Sequence, residues 1–226
     1  VILLTLICEI VLKNVLDNTM NNLITKTNLL NSAQLRTYHV TLIQNSARGS
    51  ALQFLGSLSS GNTNIPDAEH KSGLVTMLSS IKVLEESNNF ILKNIDHESD
   101  EIKEMLFQKD IKIIGNLADP GDPGVQYITH FQHADILIHA TKLLENLNPF
   151  VSSAGYQAFV FVTDNSASDF LAKNQEIIQA FLASVNSQKD HLQNMINLFV
   201  IVFPILLAGI VLLLSVIIWK QYDKEK

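Results

Sequence analysis

The sequence predicts an all-α protein: an antiparallel four-helix-bundle-like ectodomain, a C-terminal transmembrane helix and a partial N-terminal transmembrane helix. Three observations favour this class. Glycine and proline are scarce, with 9 and 5 among 226 residues, which favours long helices over a strand-rich fold. Apolar residues recur at helical spacing through most of the chain. Both ends carry apolar runs, and an up-down-up-down bundle returns both of its ends to the same membrane.

The chain begins with the apolar run VILLTLIC, whose eight residues are too few to span a bilayer. Three alternatives stay open: the outer end of a first transmembrane helix, the remnant of a processed signal peptide, or an interfacial or fusion-type segment. Glu9 and Lys13 follow within two turns, as they do where a helix leaves a membrane. We therefore assign residues 1–12 to a partial first transmembrane helix, and we expect the chain to be a piece of a larger protein.

Residues 13–194 are predicted to form the extracytoplasmic helical domain. The first helix should run from Ile10 to about Leu58, because this stretch has no proline and keeps the spacing of a helix seam. It should end in the turn-forming run SLSSGNTNIPD. A second helix should run from about Asp67 to Ile114, although the charged segment NIDHESDEIKEM could interrupt it.

The second half of the domain begins with the tandem sequence DPGDPG at residues 119–124, which predicts a tight double turn. A calcium loop is the weaker alternative, since the alternating oxygen ligands of an EF-hand are missing. A third helix should run from Val125 to about Leu147 and end at Asn148 and Pro149. Residues 150–168 include the strand-like YQAFVFV without a partner strand, so we expect the start of the last helix or an aromatic loop. The fourth helix should begin near Ser168 and continue into the apolar segment.

Residues 195–219, MINLFVIVFPILLAGIVLLLSVIIW, carry no charged side chain. As a helix they would rise about 37 Å, which exceeds the roughly 30 Å hydrocarbon core of a bilayer. Pro204 removes one backbone donor, so we expect a bend there. Trp219 and Lys220 suit an interfacial anchor, and the lysine-rich tail favours a cytoplasmic C-terminus. We therefore predict a transmembrane helix over residues 195–219 and a cytoplasmic tail over residues 220–226.

Composition argues against several classes of function. The net charge is −6 and basic residues do not cluster outside the tail, which argues against nucleic-acid binding. Cys8 is the only cysteine, so no intrachain disulfide can form; a buried thiol is favoured over a bridge between copies or an acylated thiol. The sequence lacks a glycine-rich phosphate loop and the common motifs of hydrolases and metalloproteases. We expect no enzyme activity, no catalytic residue and no cofactor.

Arg36 and Arg48 are the only arginines and are candidate ligand-binding residues, because a guanidinium can hold a carboxylate or phosphate bidentately. On one helix they would lie about 18 Å apart and about 120° out of phase, so they could share a ligand only across a dimer. The alternative is a solvated arginine paired with an acid. Tyr156 is a third candidate, in an aromatic group that could line a pocket or pack in the bundle core. The other members of that group are Phe159, Phe161 and Phe170.

Three histidines lie close together in the third helix, with one aspartate between them. His130 and His133 share one face, whereas Asp135 and His139 share another. A metal site needs several converging ligands, and one helix face supplies two here. His130 and His133 are therefore weak metal candidates, and we expect no metal site.

Two membrane segments that bracket a helical bundle, with the last helix running into the second span, resemble the sensor region of chemoreceptors and sensor kinases. The stretch LLNSAQLRTYHVTLIQNSARGSALQFL, followed by asparagine-rich helices, is similar to very large multi-span PAS-domain membrane proteins of single-celled eukaryotes. The resemblance covers most of the chain as architecture and composition. It implies an extracytoplasmic input domain that feeds cytoplasmic modules outside this chain, and it assigns no ligand-binding residue.

The first functional hypothesis is a signal-input module in a membrane, with the plasma membrane favoured, whose ligand-linked shift moves the second span. The expected partners are the lipid bilayer, a second copy of the chain in a dimer and a ligand of unknown identity. The alternative is a membrane-anchored structural or assembly protein, including a fusion-type protein, that senses nothing. An enzyme is the third and most distant hypothesis.

Overall fold

The computed structural model describes residues 2–59, 67–114, 125–146, 153–165 and 169–224. Within these ranges, side chains are described from Glu9 onward, except at residues 53–72, 74, 145–146 and 153. Six α-helices, one short 3-10 helix and one hairpin of two strands make up the described part of the chain. The elements are α1 (Ile2–Ser59), α2 (Asp67–Asn94), α3 (Asp100–Phe107), β1 (Ile111–Ile114), β2 (Val125–Ile128), α4 (His130–Asn146), α5 (Ser153–Asn165) and α6 (Asp169–Lys224).

The two longest helices cover the first and the last helix predicted from the sequence. α1 includes the whole of the predicted first helix and continues back to Ile2. α6 begins at Asp169 and runs unbroken through Pro204 to Lys224. Pro204 is compatible with a continuous helix because the loss of one backbone donor can be met by its neighbours. The protein is therefore mainly helical, with one long apolar helix at the C-terminus.

The predicted second helix is interrupted within the charged segment that was suspected. α2 ends at Asn94, and a 3-10 helix covers Ile95–His97. The chain turns extended at Glu98, where φ is −105° and ψ is 168°. Ser99 then caps α3 by accepting a hydrogen bond from the Ile102 backbone N–H at 3.4 Å. Acidic residues in the first turn of α3 suit the positive end of the helix dipole.

A β-hairpin corrects the prediction that placed Ile114 at the end of the second helix and Val125 at the start of the third. β1 and β2 pair antiparallel, with Ile111 opposite Ile128 and Ile114 opposite Val125. Both strands are rich in β-branched residues, which favour extended backbone. Four-residue apolar runs are too short for periodicity to separate strand from helix, which explains the error. The predicted double turn at residues 119–124 lies outside the described residues.

A capping box fixes the start of α4, five residues after the predicted start of the third helix. The Thr129 backbone N–H donates to Gln132 Oε1 at 3.0 Å, and the Gln132 backbone N–H donates to Thr129 Oγ1 at 3.2 Å. This reciprocal pair starts the helix at His130, directly after β2. The YQAFVFV segment lies in α5, a helix in its own right, and so forms neither the start of the last helix nor an aromatic loop. The predicted stop at Asn148 and Pro149 lies outside the described residues.

The chain divides into two compact units. One unit, Lys26–Ala183, is called the core unit below, and the other, Val1–Thr25 with Ser184–Lys226, is called the terminal unit. Helices α1 and α6 contribute residues to both. The core unit contains two buried apolar clusters, in which α1, α2, α4 and α6 all take part. α5 and both strands add residues to the first cluster, and α3 adds residues to the second.

The terminal unit contains the apolar part of α6. In the described chain, α6 is the one helix long and apolar enough to cross a membrane, with an 18-residue window of mean hydropathy 3.1 that is not buried. Thr19 and Met195 join α1 to α6 inside this unit, where Thr19 Oγ1 donates to the methionine sulfur at 3.7 Å. Gln188 Nε2 also donates to the Thr19 carbonyl at 3.5 Å. α6 thus contacts α1 just before and at the start of the predicted transmembrane segment, residues 195–219.

Candidate functional site

Arg36 of α1 lies inside the core unit with no exposed surface. Its Nη2 group contacts His130 Nδ1 at 2.5 Å and donates to the His130 carbonyl at 3.3 Å. Its Nε and Nη1 groups have no hydrogen-bond partner in the described part of the chain. The predicted alternative of a solvated arginine paired with an acid therefore does not describe Arg36. A buried guanidinium without a contacting carboxylate is costly, so other interactions must offset its desolvation.

Aromatic rings supply part of that compensation. The Arg36 guanidinium carbon lies 5.4 Å from the ring centroid of Phe131 and 5.5 Å from that of Phe170. Both distances fall within the range of cation–π attraction, which is strengthened where water is excluded. Phe170 also stacks on two imidazoles, with centroid distances of 4.3 Å to His130 and 4.6 Å to His133. Phe170 thus contacts Arg36 and both imidazoles. We call the whole group the Arg36 cluster: Arg36, His130, Phe131, His133 and Phe170.

The hydrogen bonds assign a tautomer to each imidazole of the cluster. His130 Nδ1 faces a guanidinium, which only donates, so Nδ1 accepts and the proton is on Nε2. His133 Nε2 lies 2.7 Å from the Asn165 carbonyl, so Nε2 carries a proton and donates. Because burial lowers the pKa of His133 to about 4, the ring is neutral near pH 7 and its Nδ1 is unprotonated. His130 Nε2 and His133 Nδ1 find no partner among the described residues. Both imidazoles are therefore neutral, and each keeps one buried polar nitrogen unpaired.

The pKa values of the cluster follow from burial and from mutual repulsion. Burial lowers the pKa of His130 well below its usual value, and Arg36 and His133 lower it further. Burial lowers the pKa of His133 to about 4, although its hydrogen bond to the Asn165 carbonyl acts in the opposite direction. Burial lowers the pKa of Arg36 to about 9, and the charge of Asp135 opposes that change. At neutral pH the cluster therefore holds one positive charge, on Arg36.

Two asparagines hold the elements around the cluster. Asn174 of α6 donates to the Ala33 carbonyl at 2.7 Å and to Thr37 Oγ1 at 2.6 Å, which ties α6 to α1. Asn165 of α5 exchanges two hydrogen bonds with Ile114, accepting from its N–H at 2.7 Å and donating to its carbonyl at 2.9 Å. Asn165 thus anchors β1 and orients His133 through the same residue.

A groove between α2 and α4 is lined in part by Asp135. Asn88 Nδ2 donates to Asp135 Oδ1 at 3.0 Å, and Lys142 Nζ lies 3.5 Å from Glu85 Oε2. Burial raises the pKa of Asp135, while the Arg36 charge and the Asn88 hydrogen bond oppose the rise. Asp135 therefore links the groove electrostatically to the buried cluster.

The predicted ligand-binding residues do not meet in one place. Arg36 is buried, whereas Arg48 is exposed and donates to the Thr163 carbonyl of α5 at 3.4 Å. Tyr156 is 57% exposed on α5. Phe161 and Phe170 are buried and Phe159 is partly buried against them, which confirms the core interpretation for these three rings. Ligand binding by Arg36, Arg48 or Tyr156 stays a prediction.

The weak metal candidates His130 and His133 lie together, but their neighbours are aromatic rings and a guanidinium. Among the described residues, no group of three or more histidine, cysteine or acidic side chains is placed to hold a metal ion. Of the predicted anchor residues, Pro204 lies inside α6 and Trp219 is 67% exposed, with Lys220 next to it also exposed. Exposure of this apolar helix is compatible with a lipid environment.

Two features that position the cluster were missed from sequence, although the sequence contained a signal for each. Asn174 falls between Phe170 and Ile177 on the apolar stripe of the last helix, and a polar residue in a buried stripe indicates a buried hydrogen bond. The sequence Thr129-His-Phe-Gln132 is a capping box, which would have placed the helix start at His130. The pairing of Arg36 with His130 joins residues 94 positions apart, and no local pattern indicates it.

Comparison of the chain with family models, with curated proteins and with solved structures finds no match. The geometry described above is therefore the basis for a functional proposal. It contains a buried cationic cluster, a polar groove connected to it through Asp135, and a long apolar helix that takes part in the cluster at Phe170.

Proposed function

We propose that the chain is the extracytoplasmic input module of a membrane sensor, which passes a change in the core unit to a transmembrane helix. One observation carries the proposal: α6 contains both Phe170, at the centre of the Arg36 cluster, and the apolar window. A rearrangement of the cluster would act directly on the helix that crosses the membrane. In this proposal the chain binds and transmits and catalyses no reaction.

The arrangement of α1, α2, α4 and α6 in the core unit supports a bundle-like input domain, since all four helices contribute to both apolar clusters. Unpaired polar atoms in the buried core support a second packing of that domain, in addition to the observed one. In the described core, an unpaired polar atom remains on each of four residues: Arg36, His130, His133 and Asn174. The observed packing therefore leaves these groups without all of their hydrogen bonds. Interfaces of this kind can switch between discrete arrangements.

The proposed module also has a membrane location and an oligomeric state. We place the module in the plasma membrane, with the core unit outside and the C-terminus in the cytoplasm, because lysines follow the apolar segment. We also propose a homodimer, in which α1 and α6 of two copies would lie side by side at the bilayer. Ile10, Val11, Val15 and Ile24 of α1 expose apolar surface that a membrane or a second copy would cover.

A disulfide reporter in the terminal unit tests transmission. The full chain, with Cys8→Ser and the pair Thr19→Cys and Met195→Cys, is reconstituted in lipid vesicles and the rate of disulfide formation is measured. Adding Arg36→Met removes the buried charge. If the core unit is coupled to α6, the rate should change about fivefold or more, which is the lower range of coupling between linked sites.

Arg48→Met is the matched control, because it removes an exposed guanidinium from the same helix. It should leave the disulfide rate unchanged. An unchanged rate in Arg36→Met, together with an altered free energy of unfolding, would contradict the input module. The non-sensing anchored protein would then be the better interpretation.

A further inference from the structure

We propose that the groove between α2 and α4 binds a small organic ammonium ion, whose N–H groups donate hydrogen bonds to Asp135, Asn88 and Glu85. The groove has a volume of about 240 Å³. Drug-sized ligands occupy cavities of roughly 300–1,000 Å³, so this groove suits a smaller molecule. Its polar lining comes from both helices and consists of Glu85, Asn88, Asn89, Asp135, His139 and Lys142.

The charge of the groove favours a cation. Two carboxylates line it, and the one lysine pairs with Glu85 at 3.5 Å. Asp135 forms no ion pair within the described ranges, although its Oδ1 accepts from Asn88. The charge that acts on it most strongly is that of Arg36, which is buried in the cluster and does not line the groove. One carboxylate is therefore left to balance a positive charge that enters from solvent.

Asn88 provides an independent indication of a ligand. The residue lines the groove, is only 4% exposed and has donated one amide hydrogen to Asp135. Its Oδ1 atom is buried and has no hydrogen-bond partner in the part of the chain that the structure describes. A buried acceptor left unpaired is unfavourable, and a donor in the groove would remove that cost once the Asn88 side chain moves to expose Oδ1.

The kind of cation follows from the acceptors. An ammonium group carries three N–H donors and no acceptor, and the groove offers two carboxylates and one amide oxygen. A metal ion is disfavoured because the described residues contain no group of three histidine, cysteine or acidic ligands. Ile138 lies in the lining as well and gives the carbon chain of an amine an apolar contact. These features together select an organic ammonium ion over an inorganic cation.

Binding at this place would reach the Arg36 cluster. The negative charge of Asp135 favours the charged guanidinium of Arg36, so a cation bound to Asp135 offsets part of that attraction. A cation bound in the groove would thus weaken the electrostatic attraction that helps to keep the charged Arg36 side chain buried. In this respect the inference rests on the proposed function, since it gives the input module its class of ligand.

Isothermal titration of the full chain in lipid nanodiscs tests the site with four probes: ethylamine, putrescine, tetramethylammonium and potassium chloride. The two amines should bind, because they donate N–H hydrogen bonds. Tetramethylammonium has the same charge and no N–H donor, so it should bind about tenfold more weakly or not at all. Putrescine should exceed ethylamine if its second ammonium also reaches a carboxylate of the groove.

Asp135→Asn should weaken amine binding about tenfold or more, and Asn88→Ala should weaken it severalfold. Glu86→Gln is the matched control, because Glu86 is exposed on α2 next to the groove residue Glu85 and does not line the groove. Circular dichroism checks that each variant is folded. The proposal is overturned if no amine binds, if tetramethylammonium binds as well as ethylamine, or if Asp135→Asn binds like the unmodified chain.

The same titration separates this site from the input function. Amine binding that leaves the disulfide rate of the terminal-unit reporter unchanged would support the site and contradict the proposed function. Failure of every amine to bind would remove the site, while the response of the reporter to Arg36→Met would still stand for the input module.

Discussion

At the scale of single residues, the core unit keeps a charge where apolar packing would be expected. Arg36 is held by one imidazole and two aromatic rings, without a carboxylate in contact among the described residues. His130 must stay neutral to accept from it, and His133 must stay neutral beside it. A proton added to either imidazole would place two positive charges side by side in a buried volume. Acidification should therefore lower the stability of the core unit.

Acidification should therefore destabilise the core unit through His133. The pKa of His133 is about 4 in the folded chain, against an ordinary value of 6.5. As the pH falls, the unfolded chain therefore takes up a proton at this residue before the folded chain does. The stabilisation is fully present above pH 6.5 and is lost as the pH falls toward 4. By pH 5 the loss should reach about 2 kcal/mol relative to pH 7.5.

Hydrogen exchange at the buried Leu137 amide of α4, measured on the full chain in micelles, reports this loss. His133→Phe should reduce the acid-induced change in protection by the amount attributed to His133. His139→Gln removes an exposed histidine from the same helix and should leave the change intact. Equal pH dependence in His133→Phe and the unmodified chain would contradict the assignment.

At the scale of elements, α6 and α4 meet through Phe170, whose ring contacts both imidazoles and the guanidinium. Phe170→Ala should cost about 3–5 kcal/mol, because it leaves a large cavity and removes the stacking at once. Urea unfolding in micelles, followed by protection of the Leu137 amide, measures the cost. Tyr156→Ala removes an exposed ring and should change the free energy of unfolding by less than about 0.5 kcal/mol.

The hairpin depends on α5 through a single side chain. Asn165→Ala removes both hydrogen bonds to Ile114 and should cost about 1–3 kcal/mol of local stability, since the strand end is left unpaired. The Ile114 amide should then exchange faster, while the Leu137 amide should keep most of its protection. Thr163→Ala, two residues earlier on α5, is a suitable control. Unaltered exchange at Ile114 would show that β1 is held in another way.

Long elements were predictable from the sequence and short ones were not. α1 and α6 have many helical repeats, so their periodicity outweighs any single residue. β1 and β2 have four residues each, and their pairing depends on partners that a local pattern does not contain. Phe161 and Phe170 were placed in the core correctly because aromatic residues on an apolar stripe are usually buried. The partner of Arg36 could not be predicted, since the contact is long-range.

At the scale of the whole molecule, a long apolar helix is combined with a polar, partly unpaired core. We expect the full chain to remain with vesicles after a carbonate wash, and a chain ending at residue 194 to be released. In the Cys8→Ser background, Lys220→Cys should react with an impermeant maleimide only after the cells are permeabilised. Lys142→Cys should react from outside. Labelling of both cysteines from the same side would contradict the proposed topology.

The hydrogen bonds of Asn174 to Ala33 and Thr37 join residues 141 and 137 positions apart. A ribosome that adds about 5–20 residues per second needs roughly 10 s to pass from one partner to the other. During that time the buried face of α1 has no α6 to cover it, and Arg36 lacks its contact with Phe170 even after His130 and Phe131 have been made. Assembly of the core must therefore wait for the C-terminal third of the chain, and the face of α1 that α6 covers stays exposed until α6 has been made.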